Sequence, residues 1–310
     1  MRPFTPERPS RVEALTSIDP QTLAKIQGLH LRARHIVEGY VAGLHRSPYR
    51  GFSTEFTEHR EYAPGDDLRY VDWKVYGKRD KVYLKQYEDE TNLLCYLVLD
   101  VSESMTYRGP GAALSKLAYA QCLAAALGWL ILRQQDAVGL ATFDNQVRTL
   151  LRPGGTPSQL NDLLHALEEV KPTSTTAAGA IFHELAQRLT RRGIVVILSD
   201  CFDDVEAIAA GLKHFKHRRH DVTLLHVLDP AEIDFPFRSP LEFQGLEALA
   251  GIDADPRFIR AAYCREFNAF RLSLEQACRR EQVDYFLLRT DQPPDAALTR
   301  ILSKRGAQAP

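Results

Sequence analysis

Residues 93–105 read LLCYLVLDVSESM, and no other stretch limits the possible folds as tightly. Seven mostly apolar residues lead into Asp100, and Ser102 and Ser104 follow at alternate positions. An unbroken apolar run of this length predicts a strand buried on both faces, which is what a parallel sheet inside an α/β domain requires. At the carboxyl end of such a strand the backbone leaves the sheet, and side chains there face a crevice where ligands collect. One carboxylate and two hydroxyls are hard oxygen donors. They suit Mg²⁺, Mn²⁺ or Ca²⁺ and argue against zinc or copper.

The same residues also suit a polar turn, with Ser104 or Thr106 capping a helix. The spacing Asp-x-Ser-x-Ser after a first core strand resembles the metal-ion-dependent adhesion site (MIDAS) of von Willebrand factor A domains. The rest of the chain has to decide between the two readings.

Charge and hydropathy exclude several classes. The chain has 310 residues, 39 Lys and Arg against 40 Asp and Glu, and a formal net charge of −1, so it carries no footprint for nucleic acid. Basic clusters at 191–192, 213–220 and 279–280 fall at expected helix ends, where cations are favoured. No window approaches the ~20 apolar residues of a membrane span, and the first residues lack a signal-peptide core. Five widely spread cysteines with no CxxC pair fit reduced, buried thiols, and the expected location is the cytoplasm.

Residues 1–17 are expected to be a flexible leader, and residues 18–41 a helix. Residues 18–90 as a whole are expected to pack on the main domain, 91–310. From 43 to 80 the texture changes to Gly, Pro, Arg, Asp and aromatics without a helical stripe, and 81–87 alternates like a half-exposed strand. Pro64, Gly65, Asp66 and Asp67 form a strong turn signal. Around them stand Glu55, Glu58, Arg60, Glu61, Arg69 and Asp72 with Tyr62, Tyr70 and Trp73, a density of opposite charges and aromatics that fits arginine–carboxylate forks and stacking.

That block, Gly51-x-Ser53-x-Glu55-Phe56 through Arg60, Tyr62, Pro64-Gly65-Asp66-Asp67, Arg69 and Asp72-Trp73, is followed by LDVSESM. Together they resemble the DUF58 family, uncharacterised bacterial proteins with a von Willebrand A-like domain. The resemblance implies a surface built from Glu55, Arg60, Pro64, Gly65, Asp66, Asp67, Arg69, Asp72 and Trp73. It also implies a partner, because such proteins are commonly encoded beside MoxR-type AAA+ ATPases and are thought to act with them in protein maturation or remodelling.

Beyond the metal motif, helix and strand alternate. Helices are expected at 111–134, 158–170, 180–189, 258–281 and 294–304, and strands at 137–143, 193–200, 222–228 and 284–289. Residues 147–152 are expected to form an antiparallel edge, and 229–255 an irregular surface excursion. The expected fold is α/β, von Willebrand A or Rossmann-like and doubly wound, with a mostly parallel sheet, one antiparallel edge strand, an N-terminal helix and a small irregular segment. If the strand order is 3-2-1-4-5-6, the strand ending at Asp200 lies beside the one ending at Asp100, and the two acids share the switch-point crevice.

In von Willebrand A domains a threonine from the loop before the next helix completes the ligand set. Thr176, in Thr176-x-x-Gly179-Ala180-Ile181, matches that pattern, with Thr175 as the fallback; the plain alternative is a helix cap. Asp203 and Asp204 read as caps, and His183 and His226 as ordinary core or surface residues. The implied metal set is Asp100, Ser102, Ser104, Thr176 and Asp200. The expected function is a non-catalytic adaptor that binds a divalent cation, most simply Mg²⁺, and through it an acidic residue of the ATPase or its client. The competing enzyme reading, a metal-dependent hydrolase or phosphoryl transferase, needs a base or nucleophile that no Asp-x-Asp, P-loop or GxSxG motif supplies. A third reading keeps the fold and loses the metal.

Overall fold

The apolar run at 94–100 becomes a central strand whose alternate side chains fill two separate cores. The computed structural model describes residues 19–44, 59–61, 83–85, 93–172, 177–243 and 252–306. In chain order the elements are helices α1 (Pro20–Lys25) and α2 (Leu29–Leu44), and strands β1 (His59–Glu61), β2 (Tyr83–Lys85) and β3 (Leu94–Asp100). Then come α3 (Lys116–Arg133), β4 (Ala137–Phe143), β5 (Val147–Gly154), α4 (Pro157–Glu168), α5 (Ala178–Arg188), β6 (Ile194–Ser199), α6 (Val205–His217) and β7 (Asp221–Leu228). The remainder is α7 (Pro230–Asp234), β8 (Leu241–Phe243), β9 (Ile252–Ala254), α8 (Pro256–Arg280), β10 (Asp284–Arg289) and α9 (Pro294–Gly306). The chain divides into two compact units, Arg46–Asn92 and the remainder. In the smaller unit β1 pairs antiparallel with β2, His59 opposite Lys85.

The larger unit holds a six-stranded sheet in the order β10-β7-β6-β3-β4-β5. Every neighbouring pair is parallel except β4 with β5. Numbered among themselves along the chain, these strands stand in the doubly wound order 3-2-1-4-5-6. The α/β class and its antiparallel edge are as the sequence predicts.

Successive side chains of a strand point to opposite faces. Cys95, Leu97 and Leu99 of β3 accordingly enter one core, under α2, α3, α4 and α9. Leu94, Tyr96 and Val98 enter the other, under α5, α6 and the second half of α8. All seven residues of β3 are buried. Burying two full faces commits this strand to the centre of the sheet, and its carboxyl end to the switch point. The outer strand β5 instead alternates half-buried and exposed residues.

The helix expected from 111 starts at Lys116, and two further boundaries differ from expectation for identifiable reasons. The single helix over 18–41 is two helices, broken at Gly28, whose φ of +85° suits glycine alone. Arg32 fixes the break by donating to the carbonyls of Ile26 and Ala24, at 2.8 and 3.2 Å. The excursion over 229–255 also contains more order than predicted. It opens with α7, started by a reciprocal capping box between Asp229 and Glu232, and β8 pairs antiparallel with β9.

Candidate functional site

β3 and β6 lie side by side, Leu99 level with Leu198, so Asp100 and Asp200 emerge at the same end of adjacent strands. Both are fully buried, as is Ser102, and Ser104 is nearly so. The Ser102 amide donates to Asp100 Oδ1 at 3.0 Å, folding the chain back in the turn that Asp side chains favour. A short 3₁₀ turn, Glu103–Thr106, then brings the Ser102 and Ser104 hydroxyls within 3.0 Å of each other. The polar-turn alternative placed the helix cap at Ser104 or Thr106, but α3 starts later and its cap is Ser115, which accepts from the Ala118 amide.

Asp100 Oδ2 accepts the Ser199 hydroxyl at 2.6 Å, and Ser199 Oγ accepts the Cys201 amide at 2.8 Å. Cys201 holds φ at +55°, a left-handed turn uncommon for a residue with a side chain. That turn follows Asp200 directly. Burial first, and then the neighbouring charge of Asp200, push the Asp100 carboxyl up to about 7 against the pull of its Ser199 and Ser102 donors. Among the described residues, no Lys, Arg or His forms an ion pair with Asp100.

Asp200 lives differently. Its Oδ2 accepts from the Nζ of Lys116 at 2.7 Å, and the same ammonium donates to Glu232 Oε1 at 2.5 Å. Lys116 is fully buried in the first turn of α3, with its Nζ 4.6 Å from the centre of the Phe202 ring. Burial opposes its charge, but Asp200 and Glu232 outweigh it and raise the lysine above its ordinary range. Burial likewise raises the Glu232 carboxyl, and Lys116 pulls the other way. The Asp200 carbonyl is 2.9 Å from His226 Nε2, and Tyr285 Oη lies 2.7 Å from His226 Nδ1. A carbonyl can only accept, so Nε2 carries the proton and Nδ1 takes the tyrosine hydroxyl. Complete burial lowers His226 to about 4, so the ring is neutral at pH 7.

Glu232 reaches Lys116 because its other oxygen accepts the Asp229 amide at 2.7 Å. Asp229 is itself fully buried; its oxygens accept the amides of Ala231 at 2.8 Å and Gly109 at 2.9 Å. A Cβ on Gly109 would stand 2.3 Å from Asp229 Oδ1, so only glycine fits this approach. Asp204 caps α6 through the Ala207 amide, as predicted. Asp203, read as a cap for the same helix, accepts the Asp204 amide at its start at 2.7 Å, and with its other oxygen accepts the Gly179 amide at the start of α5 at 3.2 Å.

Four of the five predicted ligands, Asp100, Ser102, Ser104 and Asp200, therefore gather at one end of the sheet. Thr176, like its fallback Thr175, lies outside the described residues. The Ala177 amide beyond them donates to the Asp144 carbonyl, next to the end of β4, at 3.4 Å. Of the residues implied as a family surface, Arg60 falls on β1. Glu55, Pro64, Gly65, Asp66, Asp67, Arg69, Asp72 and Trp73 lie outside the described residues.

Sequence reasoning missed Lys116, Glu232 and Ser199. One signal was present: Asp229-Pro230-Ala231-Glu232 is a capping-box pattern before a short helix. The donors fit a hard divalent cation: two carboxylates and two hydroxyls, with one carboxylate that pairs with no cation among the described residues. Among the described residues no group of three or more His, Cys, Asp or Glu forms a metal cluster, so a cation here depends on the hydroxyls.

The family described as "Protein of unknown function DUF58" matches residues 58–271. Uncharacterised proteins of Mycobacterium bovis and Mycobacterium tuberculosis are each 27% identical over 308 residues, covering 94% of this chain and 92% of their own. Among solved structures, BatB from Bacteroides thetaiotaomicron is 16% identical with a TM-score of 0.45, over 69% of this chain and 99% of its own. The SpRpn10 VWA domain is 12% identical with a TM-score of 0.38, over 66% of this chain and 93% of its own.

Proposed function

The chain belongs to the DUF58 family, and from that premise we propose that it is a non-catalytic adaptor which binds a divalent cation in the Asp100–Asp200 crevice and engages an acidic residue of a partner. The observation that carries this reading is the state of Asp100. It is fully buried, held among the described residues by Ser199 and Ser102 with no cation beside it, and pushed up to about 7. A buried carboxylate without a compensating charge costs free energy that a cation would recover.

Asp100 and the hydroxyls of Ser102 and Ser104 would hold the cation, with Thr176 as the further hydroxyl and Asp200 acting directly or through water. Mg²⁺ suits these donors best, and Mn²⁺ or Ca²⁺ would also be accepted. When bound, the cation supplies an open coordination position that a partner's carboxylate can fill. Ser199 keeps Asp100 oriented from the neighbouring strand, and the turn through Ser102 keeps both hydroxyls on the same side as the acid.

A hydrolytic role for the same site is the weaker reading. His226 has both ring nitrogens engaged, and Lys116 is bonded to two acids, so neither is free to move a proton. The partner in this proposal is a MoxR-type AAA+ ATPase or its client, and the compartment is the cytoplasm. The five cysteines are thiols, in keeping with that compartment. Among the described residues no helix is long and apolar enough to cross a membrane.

The test is retention of the ATPase by the immobilised protein in Mg²⁺, compared with EDTA and with Asp100→Ala. The proposal expects retention in Mg²⁺ only, and none by the variant. Retention indifferent to both would sink the metal-dependent grip.

A further inference from the structure

We infer that Lys116 sets the charge of the crevice and, through Asp200, its affinity for a divalent cation; Glu232 is the residue that tunes how strongly the lysine does so. This rests on the metal reading above and assigns a role to two residues outside the proposed ligand set.

The argument begins with where the lysine sits. Lys116 follows the cap Ser115, and its amide donates to the Tyr107 carbonyl at 3.1 Å. The start of α3 is thereby pinned to the segment that follows the metal motif. From there the side chain runs wholly buried to Asp200, which is 84 residues away in the chain. Its ammonium is enclosed by two carboxylates and the face of Phe202. Opposite charges and an aromatic face on three sides leave the cation little freedom to swing away.

Such an ion pair contributes little net stability, because desolvating both partners offsets most of their attraction. A leucine or methionine at 116 with a neutral residue at 200 would fill the same space. What the lysine does change is the field at the crevice. Asp200 Oδ2 is committed to an ammonium, while among the described residues Oδ1 receives only the Phe202 amide, at 3.4 Å. A cation beside Asp100 therefore meets one uncompensated carboxylate instead of two. That lowers the crevice's intrinsic hold on the metal and leaves the metal more electrophilic toward a further carboxylate.

Glu232 enters because it shares the ammonium. Neutralising Glu232 would leave the whole lysine charge acting on Asp200 and the crevice, and would weaken cation binding. Removing the lysine would do the opposite. A purely structural ion pair has no reason to move metal affinity in opposite directions from its two ends.

The experiment is Mn²⁺ titration of the full chain, with free Mn²⁺ read by its EPR signal and Mg²⁺ competition as a control. Lys116→Met, Lys116→Arg and Glu232→Gln are compared with the wild type under conditions where circular dichroism reports a folded protein. Outer-shell partners typically change metal affinity by about 10–100-fold, and we expect a change of that size here. Lys116→Met should bind Mn²⁺ more tightly, Glu232→Gln more weakly, and Lys116→Arg close to wild type. Glu232→Gln keeps the Lys116–Asp200 pair, so it remains informative if Lys116→Met fails to fold. Binding by Lys116→Met where wild type binds none would also support the inference. Wild-type binding that none of the variants moves would overturn it and leave the metal reading standing. Absence of binding in all four proteins would overturn both.

Discussion

Asp100 and Asp200 are chemically identical, equally buried and carried at the same end of neighbouring strands, yet the fold treats them in opposite ways. Asp200 is given an internal cation, Lys116, which Glu232 holds in turn. Asp100 is given a hydroxyl and an amide, and is pushed up to about 7. Among the described residues, the protein's own cations therefore neutralise only one of the two acids at this end of the sheet. In the account above, the other acid is left to a cation from outside.

The largest expected effect tests the Asp200 side. Lys116→Met leaves the buried Asp200 and the largely buried Glu232 without their shared cation, and breaking a buried pair in this way costs about 3–5 kcal/mol. Urea unfolding at pH 8 in a chelator should report a loss of that size. A loss near zero would mean that Asp200 and Glu232 are not charged partners of the lysine.

The Asp100 side should respond with the opposite sign. Its folded pKa is above its unfolded value, so between about 4 and 7 the native state binds more protons than the unfolded chain. Stability from this group is therefore fully present in acid and is lost as pH rises through about 7. Asp100→Asn should remove that loss. We expect the variant to gain roughly 1–3 kcal/mol over wild type at pH 8 in chelator, and the gain to vanish by pH 4. Denaturant midpoints across that range decide the matter; an Asn variant less stable at every pH would contradict the comparison.

Two smaller substitutions sharpen it. Ser199→Ala takes away the hydroxyl that orients Asp100 and should cost about 1–2 kcal/mol by urea unfolding, because hydrogen bonds to charged groups exceed neutral ones. Tyr285→Phe removes only the outer contact of His226 and should cost about 0.5–1.5 kcal/mol, with the pH dependence of Asp100 untouched.

Much of this arrangement was legible in the sequence, and the illegible part has a common cause. Long apolar runs ending in Asp100 and Asp200 announce buried parallel strands, because few other structures tolerate them. Their adjacency follows from the doubly wound order. Lys116 gave no comparable signal, since a lysine near a helix start ordinarily faces solvent. Only the fold brings it to Asp200 and to Glu232, 84 and 116 residues further along. The break at Gly28 was hidden for a different reason: the apolar stripe continues on both sides of it, into Leu23 and Ile36 alike, and both are buried. Asp203 bonds within its own segment, to the Asp204 amide, but its second contact, to Gly179 at the start of α5, comes from 24 residues away and leaves no local signal.

The most direct test of the central claim is thermal unfolding of wild type against Mg²⁺ and Mn²⁺, beside Ser102→Ala/Ser104→Ala and with a chelator control. A cation that binds only the native state adds about 2.7 kcal/mol at a hundredfold excess over its Kd. The account predicts a Tm that climbs with metal concentration in the wild type and stays flat in the double variant. A Tm that stays flat in both, or climbs equally in both, would contradict it.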